Sequence, residues 1–410
     1  MRPGRRSRKA RRAARIACVI PVVLVWAGLA VHDAGTVAAA PCRPTSGEQV
    51  ARDTLSGTEE ILSRVFSREV VRLKRDGVRL EADWKQAVFM LGAMRVFEAT
   101  SRGEYRDAAL EWADATGWAP GPRSRHADDQ SPIQVYLALV EAGGPGVSDD
   151  ALEAARASFD AMVADPASGR EEWSWCDALF MAPPAMAGLS RVSGASEYAE
   201  LMDRMWWDTH ELLYDPEERL YYRDERAKTS MDGSVPRSFR GNKLMWARGN
   251  GWVLAGTAAV LAQMPADLET RPRYERLFVE MAGRVAELQG EGGLWGSSLL
   301  DPMDRQPPES SASALFCAAL AWGVGDGLLD GDAYLPVVRS AWEGLAAAVD
   351  EDGRLGWVQR PARRPGTVLE SESWIYGSGA FLMAGAEVLE LERSGLLTGG
   401  PSTRGEEEED

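Results

Sequence analysis

Histidine and cysteine are scarce in this chain, which has three histidines and four cysteines among its 410 residues. A metal site built on histidines is therefore not expected, and no cysteine spacing matches a zinc motif. The cysteines are also too few to hold a fold together by disulfides. We expect neither a metal ion nor another cofactor. Cys176 and Cys317 lie in apolar contexts, so we expect them to be small core residues.

Basic charge is also in short supply, with 46 Lys and Arg against 62 Asp and Glu and a formal net charge of −16. Nucleic acids bind proteins that present a basic face, so this balance argues against such a partner. A small anionic substrate stays compatible with it, because one local Arg or Lys can govern a pocket.

The first 40 residues differ from the rest of the chain. Residues 1–40 hold eight basic residues and one acid, then an apolar stretch over 16–31, and they end in small residues before Pro41. This layout is typical of a secretory signal, so we expect a secreted or cell-surface protein. An uncleaved membrane anchor is the alternative, and it would be the protein's only membrane contact. Cleavage would remove a net charge of +7 and leave −23.

Helical periodicity dominates residues 41–395, which we expect to form one domain. Apolar residues recur at spacings of three and four residues in twelve segments, at about 47–71, 81–99, 103–116, 129–142, 148–163, 175–190, 195–210, 245–263, 272–287, 309–323, 332–349 and 373–393. Only Leu220–Tyr222 and Trp357–Val358 are candidates for short strands. Residues 396–410 finish in GEEEED, which predicts a disordered acidic tail.

Twelve helices without a break in composition indicate an all-α fold of six helical hairpins in two concentric rings, an (α/α)6 barrel. The connections alternate between short ones and long ones rich in Trp, Asp, Arg and Gly. In a closed double ring the long connections gather at one mouth, where binding residues are expected. A right-handed helical solenoid would have the same number of helices, so closure of the ring stays open at this point.

The run WSWCDALFMAPPAM (173–186) is the most informative stretch of the chain. Asp177 stands there among large apolar side chains, including Trp175 and Met181. A poorly solvated carboxyl group has a raised pKa, and a carboxylic acid that keeps its proton near neutral pH can act as a general acid. The alternative is that Asp177 caps a helix and is paired with backbone amides.

A second run, MWARGNGW (245–252), combines flat rings with a cation at a helix start. Arg248 offers a planar donor fork that suits a carboxylate, and Trp246 and Trp252 offer platforms for sugar rings. The two glycines around Asn250 would let a ligand approach the backbone closely. The alternative is that both tryptophans are core residues and that Arg248 pairs with an acid.

A third run, HADDQ (126–130), places two acids before an apolar helix. Adjacent acids in this position are typical of a helix cap and a first-turn acid, and one of them could still face a cavity. His126 is a candidate general base, although a lone histidine is more often a hydrogen-bonding loop residue.

These runs, together with YYRDE (221–225), PPESSASALF (307–316) and YGSGAFLMAGAEVL (376–389), resemble glycoside hydrolase family 105 and the related family 88. The resemblance extends from about residue 50 to 393. It implies an (α/α)6 barrel that hydrolyses oligosaccharides ending in a 4,5-unsaturated uronic acid, which a polysaccharide lyase would release.

The resemblance also implies roles for individual residues. Asp177 matches the catalytic acid and Asp128 the second active-site acid, with Asp129 as the alternative register. Further substrate contacts are expected from His126, Trp175, Met181, Trp246, Arg248 and Trp252. Some rhamnogalacturonyl members have a histidine in the hairpin where this chain reads Tyr222-Arg223-Asp224, so Arg223 is expected to bind the uronate carboxylate differently, and the leaving sugar stays open.

The chemistry that the resemblance implies is hydration of the C4–C5 double bond, with Asp177 donating a proton to C4. Two other functions stay open. One is an ordinary glycosidase that uses Asp177 and Asp128 on a saturated glycoside, and the other is a saccharide-binding barrel without catalysis.

Overall fold

The computed structural model describes residues 56–148, 150–303 and 306–397. The predicted signal, the start of the first predicted helix and the acidic tail from residue 398 onward lie outside the described residues. Within the part that is described, no helix is long and apolar enough to cross a bilayer. Cys176 and Cys317 are free and fully buried, as expected.

Twelve long helices make up the described region, which confirms the all-α prediction. In chain order they are α1 (Gly57–Arg75), α2 (Trp84–Thr100), α3 (Gly103–Ala115), α5 (Pro132–Ala142), α6 (Asp150–Ala164), α9 (Pro183–Ser193), α10 (Ser196–Leu213), α12 (Ala247–Gln263), α13 (Arg271–Glu287), α14 (Ser310–Asp326), α15 (Gly331–Ala347) and α16 (Ile375–Arg393). Four single-turn helices lie in the connections: α4 (Ala127–Gln130), α7 (Gly169–Glu172), α8 (Ala178–Met181) and α11 (Glu225–Lys228). One antiparallel hairpin joins β1 (Tyr214–Asp215) to β2 (Leu220–Tyr221), with Tyr214 opposite Tyr221.

The long helices alternate between two rings. The second of each pair is apolar around most of its circumference and forms the inner ring: α2, α5, α9, α12, α14 and α16. The others, such as α1 and α15, bury only one stripe, which is the pattern of an outer layer. Each inner helix packs against the next, and α16 packs back against α2. The ring is therefore closed, so the (α/α)6 barrel is confirmed and the solenoid alternative is wrong.

Closure depends on glycine where α16 meets α2. A Cβ atom on Gly92 would lie 2.3 Å from the carbonyl oxygen of Gly379, and a Cβ on Gly379 would lie 2.5 Å from that of Val88. Side chains cannot be added at these distances without moving a backbone. The two glycines therefore let the first and last inner helices approach closely.

Three predicted segments need correction. The helix predicted over 175–190 is split into α8 and α9, and the one over 129–142 is split into α4 and α5. Each split has a proline at the first position of the later helix, Pro183 or Pro132, because a residue without an N–H fits only there. The strand predicted at Trp357–Val358 does not form, since Trp357 has a left-handed φ of 58° that interrupts an extended backbone. The strand at Leu220–Tyr221 is confirmed.

Candidate active site

A cavity of about 620 Å³ opens at the end of the barrel where the inner helices begin. Its walls come from the long connections before these helices and from the first turns of α2 and α12. The lining residues are Trp84, Arg123, His126, Asp128, Ser174, Trp175, Asp177, Met181, Arg223, Asp224, Glu225, Arg226, Trp246, Arg248, Trp252, Pro361, Ala362 and Arg363. All the candidate site residues are among them except Asp129. Because helix N-termini carry partial positive charge, this end of the barrel favours an anionic ligand.

Asp177 stands at the N-cap position of α8, but its side chain makes no capping hydrogen bond. Its backbone has helical angles, with φ −61° and ψ −28°, rather than the extended conformation of a capping residue. The side chain is only 13% exposed. Burial raises the pKa of Asp177, and the charges of Arg223 and Arg248 oppose that shift without reversing it. The structure thus favours the protonated acid over the capping alternative.

Two polar groups lie against the Asp177 carboxyl. The Cys176 thiol donates to Oδ2 over 3.7 Å, and Nε of Arg223 lies 3.5 Å from the same oxygen. Arg223 also donates from Nη1 to Asp224 over 2.7 Å. Its Nε is buried and has no hydrogen-bond partner among the residues that the structure describes. A buried donor without a hydrogen bond is costly, and the attraction of the Asp177 carboxyl 3.5 Å away offsets part of that cost.

The hairpin that carries Arg223 is joined to the Asp177 segment through the backbone. The amide of Cys176 donates to the carbonyl of Arg223 over 2.8 Å, and Trp175 pairs with Asp224 in an isolated antiparallel bridge. Residues more than forty positions apart are in this way held at fixed separation. The acid and its neighbouring cation therefore form one rigid unit.

The adjacent acids Asp128 and Asp129 have opposite environments, although both lie in the single turn of α4. Asp129 accepts hydrogen bonds from the backbone amide, Nε and Nη2 of Arg123 at 2.7–2.8 Å. Burial alone would raise the pKa of Asp129, but these hydrogen bonds outweigh it and the pKa is lowered. Asp128 faces the cavity, where burial first and then the charge of Asp177 raise its pKa to about 6. Of the two registers left open by the sequence, the structure places Asp128 in the cavity.

His126 caps α4, since its Nδ1 accepts a hydrogen bond from the amide of Asp128 over 3.3 Å. Its ring lies 4.8 Å from the ring of Trp175, centroid to centroid, and both line the cavity. Burial, followed by the charge of Arg123, lowers the pKa of His126. A neutral imidazole that accepts from the backbone fits the hydrogen-bonding loop residue better than the general base.

The RGNGW run positions the start of α12 rather than exposing its backbone. Asn250 is fully buried, and its side-chain amide exchanges hydrogen bonds with the backbone of Tyr221 in β2 at 2.7 and 3.0 Å. A Cβ on Gly249 would lie 2.9 Å from the Cys176 sulfur, and one on Gly251 would lie 3.1 Å from Leu315 Cβ. These glycines make room for protein atoms. The expectation that they admit a ligand is therefore wrong.

Arg248 lines the cavity but is only 1% exposed. It donates from Nη1 to the carbonyl of Gln359 over 2.7 Å and from Nη2 to that of Arg360 over 2.9 Å. Its guanidinium lies over the rings of Trp246, at 4.7 Å, and Tyr376, at 5.1 Å. Much of the donor fork that the sequence suggested for a carboxylate is therefore engaged with the protein backbone.

Trp246 and Trp252 are each 1% exposed, as expected of core residues, and both still line the cavity, as expected of platforms for a sugar ring. Trp246 donates to the side chain of Gln359 over 2.9 Å. Trp252 packs edge-on against Trp84, with centroids 6.3 Å apart.

Sequence reasoning missed several lining residues. Trp84 fits the apolar period of α2, which is typical of a residue on the buried face of a helix, yet it lies at the first turn, where the helix meets the cavity. Arg226 lies on α11, directly after the conspicuous YYRDE motif. Arg363 comes from an irregular connection with no motif at all. For Trp84, its place directly after the helix cap Asp83 is a signal that could have found it.

Known sequences and structures agree with this geometry. Residues 63–392 match the family model described as Glycosyl Hydrolase Family 88. An unsaturated 3S-rhamnoglycuronyl hydrolase of Formosa agariphila is 39% identical over 326 residues, covering 76% of this chain and 85% of that protein. A protein of the same name from Alteromonas sp. is 32% identical over 327 residues, covering 75% and 77% respectively. The chain belongs to glycosyl hydrolase family 88 and is a glycoside hydrolase, which confirms the resemblance.

Solved structures share the fold. A family 88 glycosyl hydrolase from Bacteroides vulgatus superposes with a TM-score of 0.72 at 29% identity, over 82% of this chain and 99% of that one. A protein described as a polysaccharide lyase superposes with a TM-score of 0.74, also at 29% identity, over 83% and 99%.

Proposed function

We propose that this protein hydrolyses oligosaccharides that end in a 4,5-unsaturated uronic acid, by hydrating the C4–C5 double bond. The observation that carries the proposal is the Asp177 carboxyl, which lines the cavity, is largely buried, has a raised pKa and lies beside a cation. Protonation of an alkene carbon requires an acid that still holds its proton at the working pH. The relatives named above act on unsaturated rhamnoglycuronyl substrates, which supports the same substrate class here.

The ring oxygen makes the C4–C5 double bond an enol ether, so its electrons are available to an acid. Asp177 transfers its proton to C4, and positive charge develops at C5 and the ring oxygen. Water adds at C5 and gives up a proton to a carboxylate. The resulting hemiketal opens, the glycosidic bond breaks, and the leaving sugar departs with its hydroxyl while a keto-aldehyde forms. One water is consumed, and no bond to the anomeric carbon is attacked directly.

The two cavity acids suit the two proton transfers. Asp128, with a pKa of about 6, is mostly ionised at neutral pH and accepts the proton of the attacking water. Asp177 supplies the first proton. Their titrations are coupled, because an ionised Asp177 raises the pKa of Asp128, so the two carboxyl groups bind and release protons as a pair. In the proposed reaction Asp177 holds the proton of this pair before C4 is protonated, and glycosidases commonly divide the roles of acid and base between two carboxyl groups.

The uronate carboxylate needs a cation beside the acid. Arg223 lines the cavity with its Nε 3.5 Å from the Asp177 carboxyl, so it supplies that cation although its Nη1 is paired with Asp224. The adjacent helix N-termini add to the positive potential.

Absorbance separates this function from its rivals. Purified protein is incubated with an unsaturated uronyl disaccharide and, in parallel, with its saturated twin. The ultraviolet absorbance of the unsaturated sugar should fall, and the twin should stay intact. Cleavage of the twin would instead indicate an ordinary glycosidase. Binding by calorimetry without turnover of either would indicate a saccharide-binding barrel.

We also propose that the substrate is the product of a polysaccharide lyase, because lyases create this double bond. Export follows from the layout of residues 1–40, so the mature chain should be found outside the cytoplasm. Mass spectrometry of the amino-terminal peptide in fractionated source cells tests this, and a cytoplasmic chain that retains residues 1–40 would contradict it.

A further inference from the structure

The wall segment, defined as residues 357–366, is an irregular stretch that forms one side of the cavity through Pro361, Ala362 and Arg363. It lies between α15 and α16 and contains no regular structure. A segment of this kind holds a fixed shape only if its backbone groups are bound elsewhere.

Gln359 is the point at which the wall segment is fastened, and it is only 2% exposed. Its amide donates to Glu309 over 3.0 Å, and its carbonyl accepts from Arg248 over 2.7 Å and from the Tyr376 hydroxyl. Its side chain accepts from Trp246 over 2.9 Å. Four residues at the starts of three inner helices thus hold one glutamine.

The far end of the segment is fastened as well. The Gln359 side chain donates to the carbonyl of Arg364 over 3.2 Å, and the Ser297 hydroxyl donates to the carbonyl of Gly366 over 2.9 Å. The prolines at 361 and 365 restrict the backbone between these points. Arg363 is therefore presented to the cavity from a wall with little freedom to move.

Among the five lining arginines, three are committed. Arg123 pairs with Asp129, Arg223 with Asp224, and Arg248 with backbone carbonyls. The exposed Arg226 and Arg363 have no ion pair with any residue that the structure describes. Arg226 directly follows Glu225, which also lines the cavity and offsets its charge. Arg363 is flanked by Arg360 and Arg364, with no acid between residues 360 and 369.

We propose that Arg363 is a specificity-determining residue that binds an anionic group, a carboxylate or a sulfate ester, on the leaving sugar. This rests on the proposed function: with the unsaturated uronate against the buried Asp177, the leaving sugar extends toward solvent, where the exposed Arg363 can reach it. A planar guanidinium with free donors binds carboxylate and sulfate oxygens in pairs. The substrate class is thus an oligosaccharide with a second negative charge beside the unsaturated residue.

Three disaccharides with the same unsaturated uronyl end test this, with a neutral, a sulfated or a uronic leaving sugar. The variants are Arg363→Ala, Arg363→Lys and the neighbouring control Arg364→Ala, whose side chain does not line the cavity. Arg363→Ala should raise KM on an anionic leaving sugar by roughly 5- to 10-fold with little change in kcat, because one charged hydrogen bond at a solvated rim is lost. Arg363→Lys should restore part of the loss, and added salt should shrink the difference.

The change in KM is compared between the sulfated and the uronic leaving sugar, and the larger change identifies whether Arg363 binds a sulfate ester or a carboxylate. The neutral leaving sugar and the Arg364→Ala protein should show no change. An equal loss by Arg363→Ala on the neutral sugar would overturn the proposal, as would wild-type rates on anionic sugars. A wild-type protein that bleaches none of the three would overturn the proposed function itself, which is a distinct result.

Discussion

The two ends of the barrel differ in the length of the connections between their helices. At the closed end, an inner helix passes to the next outer helix through short connections, such as those between α2 and α3 and between α9 and α10. At the mouth, outer helices pass to inner ones through long connections, the longest lying between α10 and α12 and between α15 and α16. The closed end fixes how the helices pack, and the mouth brings together acids, arginines and tryptophans from four connections and from the first turns of α2 and α12. Stability and chemistry are therefore expected to respond to mutations at different ends.

Asp177→Asn at the mouth should have the largest effect. An amide cannot supply the proton, and a positioned general acid contributes about 10²- to 10⁴-fold to the rate, so kcat should fall by at least that range's lower bound. Folding should be preserved, because the replacement keeps the shape of the buried side chain. The measurement is kcat by ultraviolet absorbance with circular dichroism on the same samples. Glu141→Gln at the closed end is the control and should keep the wild-type rate. A near-normal rate for Asp177→Asn would remove the assignment.

Gly92→Ala should come next, as a change in stability at the seam between α2 and α16. The added methyl would lie 2.3 Å from the Gly379 carbonyl oxygen, so the helices must separate. Overpacking of this kind costs about 1–3 kcal/mol in the free energy of unfolding. Urea titration measures the loss, and Gly331→Ala serves as the control, since its Cβ would lie 3.5 Å from the nearest atom, a Leu335 methyl. Equal urea midpoints for the two variants would show that α2 and α16 can move apart without loss of stability.

Arg223→Met should shift the pH dependence of the reaction. The reaction needs protonated Asp177, so activity is present below the pKa of this acid and is lost as the pH rises through it. Burial raises this pKa and Arg223 lowers it, so removing the cation raises it further. The alkaline limb of kcat against pH should move to higher pH, whereas Arg223→Lys should leave it nearly in place. A limb that moves to lower pH in Arg223→Met would contradict the assignment of Asp177 as the acid.

Arg191→Ala at the closed end should have the smallest effect. Arg191 pairs with Glu141 and donates to Gln263, but these side chains are about one-third exposed. Exposed ion pairs contribute roughly 0–1 kcal/mol, so the unfolding free energy should change by less than about 1 kcal/mol. The rate should not change at all. A measurable drop in kcat would show that the closed end does influence the mouth.

Local patterns in the sequence were sufficient to predict the helices and to identify Asp177 as the principal acid. The spacing of apolar residues reflects which face of a helix is buried, and that is a property of neighbouring residues. Asp177 stood out because its neighbours in the chain are large and apolar, and in the structure its side chain is only 13% exposed. The helix boundaries failed at Pro132 and Pro183, where a single residue type overrides the periodicity.

The contacts of Arg248 and Asn250 could not be predicted in the same way. Arg248 donates to carbonyls at positions 359 and 360, more than one hundred residues away, and Asn250 bonds to Tyr221 in the hairpin. The guanidinium of Arg248 in the RGNGW run indicates that hydrogen-bond acceptors are needed, but the run does not indicate which residues supply them. The glycines beside Asn250 were misassigned for the same reason, since the atoms that crowd them come from elsewhere in the chain.

The sequence by itself determined how many helices there are, which faces they bury, and that an acid lies among apolar rings at position 177. Only the tertiary structure decided that the ring closes, that Asp128 faces the cavity while Asp129 is bound by Arg123, and that Arg363 has no ion pair with any of the described residues. The physical reason is how far apart in the chain the residues lie that determine each property. Burial patterns follow from residues three and four positions apart, whereas the pKa of a carboxyl and the partner of a guanidinium depend on which distant connections meet at the mouth.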